Sequence, residues 1–241
     1  MNDALILFLK YPERRKVKTR IAASLGDDFA FGLYTAFIND LLDMAGSVEA
    51  DKILAIDGPL GVPIASLDFG TGYPAIRQNG MDIGERMLNA FIHVFNSGYE
   101  KAVLVGSDLP GLPASLIQNA FAALDTKDAA LGESTDGGYY LIGFRKETFS
   151  ADCFKGIKWS TSSVFRQTME KLIKAEKIVY MLPEWIDIDY AKDLKQFYER
   201  NSNRNGTVLH TMKYLNEMYP LTRSFMPGAA FCGRDGIDMS S

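Results

Sequence analysis

Residues 4–9, Ala-Leu-Ile-Leu-Phe-Leu, form an unbroken apolar run between Asp3 and Lys10. Six residues are too few for a typical helix, and a run without alternation reads as a strand buried on both faces. Such a strand needs helices covering it on each side. The chain supplies them. Phe29, Leu33, Phe37, Leu41 and Met44 recur at helical spacing over 28–44,. Lys52–Ile56 is a second strand. Asp82 and Glu85 form a capping-box pattern opening a helix that carries Ile83, Met87, Phe91 and Phe95 on one face and stops at Gly98,. Ala102–Val105 is a third buried strand, and Pro113 opens the helix that carries Leu116, Ile117, Ala120, Phe121 and Leu124. Short strands follow at 129–131 and 139–144, then a helix over 164–173, a strand over 178–182 and a helix over 190–199. Strands alternating with helices require crossover connections, so the chain is expected to be an α/β protein with a mainly parallel sheet.

The polar, turn-rich segment Asn201–Gly206 marks a boundary,. Residues 1–200 are therefore expected to form the main domain. Residues 201–241 read as an extension packed on it through a helix over 208–218, using Val208, Met212, Leu215 and Met218. A net charge of −4 argues against a general nucleic-acid binder, which presents a broad basic field,. Cys153 and Cys232 have no metal-ligand spacing and fit a reducing compartment. The start, Met1-Asn2-Asp3, lacks the basic region and long apolar stretch of a signal peptide, and no run reaches the roughly 20 residues of a membrane span,. A cytoplasmic location is expected.

Ligands of open α/β sheets bind beyond the carboxyl ends of the strands, so the loops after strands are where chemistry is sought. The first, Lys-Tyr-Pro-Glu-Arg-Arg-Lys-Val-Lys-Thr-Arg, holds Lys10, Arg14, Arg15, Lys16, Lys18 and Arg20 against one acid, Glu13. Its charge fits a polyphosphate site and a solvated basic loop equally well, and its position favours the former. It has the glycines of neither a P-loop nor a dinucleotide turn. Asp108, at the end of the third buried strand, suits a Mg²⁺ or Mn²⁺ ligand or a turn aspartate. Asp187 and Asp189 are expected to diverge, one toward a metal and the other capping the helix that starts near Tyr190. Thr135–Gly143 reads as an Asp-Gly turn into a strand, and Trp159-Ser160-Thr161 as either a hydroxyl-bearing contact or a helix cap. His93 and His210 have no partner in sequence.

Taken in order, FLKYPERRKVKTRIA, QNGMDIGERM, VLVGSDLPGL, TDGGYYLIGF, WSTSSVF and DIDYAKDL resemble the nucleotide-diphospho-sugar transferase superfamily over roughly residues 4–198,. Within it the chain is similar to the bacterial selenodomain-associated transferases. The resemblance implies a GT-A-type, Rossmann-like three-layer α/β/α fold and a transferase. It implies catalytic roles for Lys18, Arg20 and Asp108, and nucleotide contacts from Lys10, Lys18, Arg20, Gln78, Gly80 and Asp108. Sugar or acceptor contacts fall to Asp136, Gly137, Gly138, Trp159 and Ser160. A divalent metal, Mg²⁺ or Mn²⁺, is expected on Asp108 with Asp187 or Asp189. The donor is then a nucleotide or nucleotide-sugar and the acceptor a small molecule. Glycosyl transfer is the leading reading, and guanylyltransferase-like nucleotidyl transfer with release of pyrophosphate is the alternative. The strict DxD of many glycosyltransferases is missing, and Gly111 stands where relatives of the subfamily carry a polar residue. A nucleotide-binding module without catalysis is the remaining reading.

Overall fold

The computed structural model describes residues 2–202 and 209–222. Seven strands form one sheet: β1 (Asp3–Lys10), β2 (Asp51–Asp57), β3 (Ala75–Arg77), β4 (Lys101–Gly106), β5 (Ala129–Ser134), β6 (Tyr139–Arg145) and β7 (Val179–Trp185), in the order β3-β2-β1-β4-β6-β5-β7. Every neighbouring pair is parallel except the two that involve β6, which runs antiparallel to β4 and β5. The helices are α1 (Thr19–Leu25), α2 (Asp27–Gly46), α3 (Ile83–Asn96), α4 (Ala114–Ala123), α5 (Val164–Lys174), α6 (Ala191–Asn201) and α7 (His210–Thr222).

The apolar run of β1 is buried on both faces, as its lack of alternation requires. Leu5, Leu7 and Leu9 point to one side, where Leu41 of α2 and Ile117 of α4 cover them. Ala4 and Ile6 point to the other, against Met87 and Phe91 of α3 and Leu172 of α5. This is the three-layer arrangement implied by the sequence. On the second side Phe91 sits among Phe95, Phe144, Phe149 and Phe154 with ring centroids 5.4–5.9 Å apart, within the range of favourable aromatic pairing.

Two elements differ from the sequence reading. α1 is a short helix inside what reads as a basic loop, and β3 is a three-residue strand paired only with β2. Neither carries a periodic apolar face. Residues 203–208, which include Val208 and most of the Asn201–Gly206 boundary, and residues 223–241, which include Cys232, lie outside the described residues.

A third apolar cluster joins α1, α2, α6 and α7, and it includes buried Met212 and Leu215. α7 is fixed at its start by Asp40 of α2. The Asp40 carboxylate accepts from the backbone N–H of His210 at 2.6 Å and of Thr211 at 3.1 Å. It thus caps a helix 170 residues away. His210 Nε2 also lies 3.0 Å from Asp43. Asp40→Ala leaves those amides without a charged acceptor and is expected to lower stability by about 1–2 kcal/mol. That corresponds to a fall of roughly 2–8 °C in Tm. Calorimetry of the variant checks it, and an unchanged Tm would mean that apolar packing alone holds α7.

Candidate active site

β1 and β4 are adjacent and parallel with Phe8 opposite Gly106, so the segments leaving their carboxyl ends open into the same space. A cavity of about 580 Å³ lies there. Lys10, Lys16, Lys18, Arg20 and Arg86 bring five cations to its wall, and Asp57, Asp108, Asp136, Asp187 and Asp189 bring five carboxylates.

Asp108, Asp187 and Asp189 form a cradle in which one carboxylate oxygen from each lies within 4.8 Å of the others. Asp187 and Asp189 do not diverge. Side chains two apart on an extended chain share a face, and both enter the cradle. The helix cap expected of one of them is made by Asp193, which accepts from the backbone N–H of Tyr190 at 2.8 Å. The segment is pinned because Ile188 N–H donates to Asp108 C=O at 3.1 Å.

Lys18 reaches into this cradle between Asp108 and Asp189. Its ammonium is 2.9 Å from Asp108 Oδ1 and 3.2 Å from Asp189 Oδ1, donates to Ile188 C=O at 2.7 Å, and has a side chain only 4% exposed. Burial alone would lower its pKa, but Asp108, Asp187 and Asp189 outweigh burial and hold it above the ordinary lysine value,. Lys18 starts α1 in the left-handed backbone region, with φ 45°. Arg20, two residues on, bonds Asp189 Oδ2 at 2.6 Å, packs over the Tyr190 ring and remains half exposed. The rest of the basic loop is largely neutralised. Arg14 pairs with Asp28 and Arg15 with Asp27, both on the first turn of α2, and Lys16 pairs with Glu13. Lys10 has no carboxylate partner among the described residues.

Asp187 is the carboxylate most burdened by this arrangement. Burial first and then the Asp108 charge push its pKa to about 8, against an opposing pull from Lys18,. The folded chain therefore holds a proton that the unfolded chain releases near the ordinary value of 3.8. This contribution to stability is full below 3.8 and is lost as pH rises toward about 8,. Asp187→Asn removes the loss. In chelator-treated protein its Tm is expected to exceed that of wild type by several degrees at pH 9 and to converge with it at low pH. Parallel Tm profiles for the two proteins would show that Asp187 ionises freely.

The remaining expected residues divide. Gln78 lines the cavity with its side-chain NH₂ donating to Leu9 C=O at 3.1 Å and Ala55 C=O at 2.9 Å, which leaves its carbonyl oxygen without a protein partner among the described residues. Asp136 and Gly138 also line the cavity. Asp136 Oδ1 accepts from Gly138 N–H at 2.9 Å and from the Ser134 hydroxyl. Gly80, Gly137, Trp159 and Ser160 do not line it. Gly80 allows close approach to the first turn of α3, where a Cβ would meet Arg86 N at 2.7 Å. Trp159 lies against Gly84, where a Cβ would come within 2.3 Å of its ring, and edge-on to Tyr139. It supports the wall from behind.

Two features escaped sequence reasoning. Arg86 of α3 bonds Asp57 at 3.0 Å across the cavity mouth. Buried Tyr34 of α2 accepts from Lys10 N–H at 3.0 Å and lies 3.0 Å from the Ser107 hydroxyl, tying the ends of β1 and β4 together. A polar residue one turn into a capped helix was the available signal for Arg86. For Tyr34 it was a hydroxyl on an otherwise apolar helix face.

A divalent cation fits the cradle. Three carboxylate oxygens at this spacing suit a hard ion, which takes its remaining ligands from phosphate and water. Asp108 Oδ1 is buried and faces Lys18 without forming a hydrogen bond of acceptable geometry. At Gly111, with φ 76°, a Cβ would meet the side chains of Leu209 at 3.0 Å and Phe197 at 3.7 Å.

The chain is 39% identical to a protein of Desulfovibrio desulfuricans G20 provisionally named a nucleotide-diphospho-sugar transferase, over 93% of this chain and 98% of that one, with a TM-score of 0.87. Fold and likeness place it in the nucleotide-diphospho-sugar transferase superfamily. At 12% identity the same fold recurs in a CMP:2-keto-3-deoxy-manno-octonic acid synthetase complexed with CTP, over 81% of this chain and 96% of that one, with a TM-score of 0.51. It recurs also in Rv0371c of Mycobacterium tuberculosis H37Rv complexed with manganese, at 12% identity over 81% and 98% of the chains, with a TM-score of 0.51. A comparison with curated proteins finds no significant match. Residues 41–161 match the family model described as "Uncharacterized protein conserved in bacteria (DUF2064)", and the chain belongs to that family. The matched span contains Gln78, Asp108 and Asp136. Among the described residues no helix is long and apolar enough to cross a membrane.

Proposed function

We propose that the chain is a metal-dependent transferase whose donor is a nucleotide or a nucleotide-sugar, with residues 1–200 as the catalytic unit. The balance of charge in the cavity carries this reading. A polyphosphate entering alone would meet five carboxylates as well as five cations. A divalent cation on Asp108, Asp187 and Asp189 would turn that acidic wall into a phosphate-binding one. When bound, the ion supplies charge neutralisation to the leaving diphosphate. Arg20 and Lys10 face the phosphates, and the free carbonyl oxygen of Gln78 accepts from the base. Asp136 orients the acceptor.

Glycosyl transfer is the first form of the reaction, favoured by the name of the 39% identical relative. The acceptor hydroxyl attacks the anomeric carbon, its proton is lost, and a nucleoside diphosphate departs. In the nucleotidyl form an acceptor phosphate attacks the α-phosphorus and pyrophosphate departs. The fold shared with a synthetase complexed with CTP supports keeping this second form. Thermal shift against nucleoside triphosphates and nucleotide-sugars, with and without Mn²⁺, identifies the donor. Assay of released pyrophosphate against released nucleoside diphosphate then separates the two. Stabilisation by nucleotide with no turnover toward any acceptor would leave a binding module, and absence of any metal-dependent shift would remove the reading.

A further inference from the structure

We infer that Lys18 is an internal plug for the metal cradle, released by phosphate, so that the divalent ion and the phosphate groups bind as a coupled pair. The inference rests on the metal reading above and concerns its regulation. Lys18 Nζ draws on Asp108 Oδ1, Asp189 Oδ1 and Ile188 C=O at 2.9, 3.2 and 2.7 Å, and its side chain is almost wholly buried. Two of its three partners are cradle carboxylates. An ion bound to the same oxygens would sit about 2.0–2.6 Å from each. That places it within a few ångströms of the ammonium, where two positive charges shielded from water repel strongly. Ammonium and metal therefore compete for the space between Asp108 and Asp189.

The chain provides a route for exchange. Lys18 is the residue just before α1, on a four-carbon stem, and Arg20 remains to hold Asp189 at 2.6 Å when the ammonium leaves. Phosphate oxygens entering beside Arg20 and Lys10 are the natural new partner for the ammonium, because they replace the carboxylates it gives up. Phosphate entry thus empties the cradle as it brings oxygen ligands for the ion. By linkage, each of the two must raise affinity for the other. Metal alone meets a filled site. A phosphate alone displaces Lys18 but leaves Asp108 without a cation and Asp189 with Arg20 alone.

The test measures Mn²⁺ on the protein by water-proton relaxation enhancement, with and without inorganic pyrophosphate. Wild type, Lys18→Met and Lys18→Gln are compared, the last keeping a donor for Ile188 C=O if the apolar variant fails to fold. Wild type is expected to bind Mn²⁺ weakly alone and at least about tenfold more tightly with pyrophosphate. Both variants are expected to bind Mn²⁺ alone at least about tenfold more tightly than wild type and to gain little from pyrophosphate. Adding Asp108→Asn should erase that gain. Equal affinity of wild type and variants for Mn²⁺ alone, or loss of Mn²⁺ by the variants, overturns the plug while leaving the metal reading intact. No Mn²⁺ on any of the proteins under either condition overturns both.

Discussion

Asp108→Asn is expected to lower turnover by at least about a hundredfold and to abolish the dependence of donor binding on Mn²⁺ or Mg²⁺. The substitution is close to isosteric. The contact that fixes this turn, Ile188 N–H to Asp108 C=O, belongs to the backbone and survives it. Lys18 keeps Asp189 and Ile188 C=O as partners. Tm should therefore stay within a few degrees of wild type while the cradle loses the charge of Asp108. Titrating Mn²⁺ at saturating donor reads the effect. Superimposable metal curves would reduce Asp108 to a turn residue and move the chemistry elsewhere.

Gly137→Ala is expected to cost about 2–4 kcal/mol, enough to lower Tm by roughly 4–15 °C. Gly137 has φ 85°, and a Cβ there would stand 2.2 Å from the backbone oxygen of Ser162. Backbone on both sides leaves nothing flexible to yield. Gly137 N–H donates to Ser134 C=O at 3.0 Å, and its own C=O accepts from Phe165 N–H at 2.9 Å, which locks the turn carrying Asp136 onto the start of α5. Gly138→Ala is the contrast. Its Cβ would meet only the ends of the Asp136 and Ser134 side chains at 3.1 and 3.2 Å, which can shift. Its loss should be a fraction of that at Gly137. Equal Tm values for the two variants would remove the steric argument.

The parts of the fold legible in sequence are those whose pattern has a local cause. β1 announces itself by an unbroken apolar run, and α2 and α3 by apolar faces at helical spacing. The short helix α1 has one fully buried apolar residue, Ile21, and β3 exists only because β2 offers it an edge. The meeting of Lys18 with Asp108 followed from topology, since adjacent parallel strands deliver their following loops to one place. What the loop's charge could not convey was its neutralisation. Asp27 and Asp28 consume Arg15 and Arg14, and Asp189, 171 residues from Lys18, claims an ammonium that reads in sequence as a phosphate ligand. Arg86 with Asp57, and Tyr34 with Ser107, were illegible for the same reason. Each pair exists only through the register of strands and helices far apart in the chain.

The cavity's matched cations and carboxylates also bear on how a donor arrives. A wall carrying five of each has little field at a distance, and the whole chain is slightly acidic at −4. A nucleotide polyanion is then not drawn in from solution. Encounter proceeds by unassisted diffusion, with an association rate that stays nearly flat as ionic strength rises. If the cleft takes an ion and a phosphate as proposed, selectivity among anions is exerted only after contact, when the two rearrange its charges.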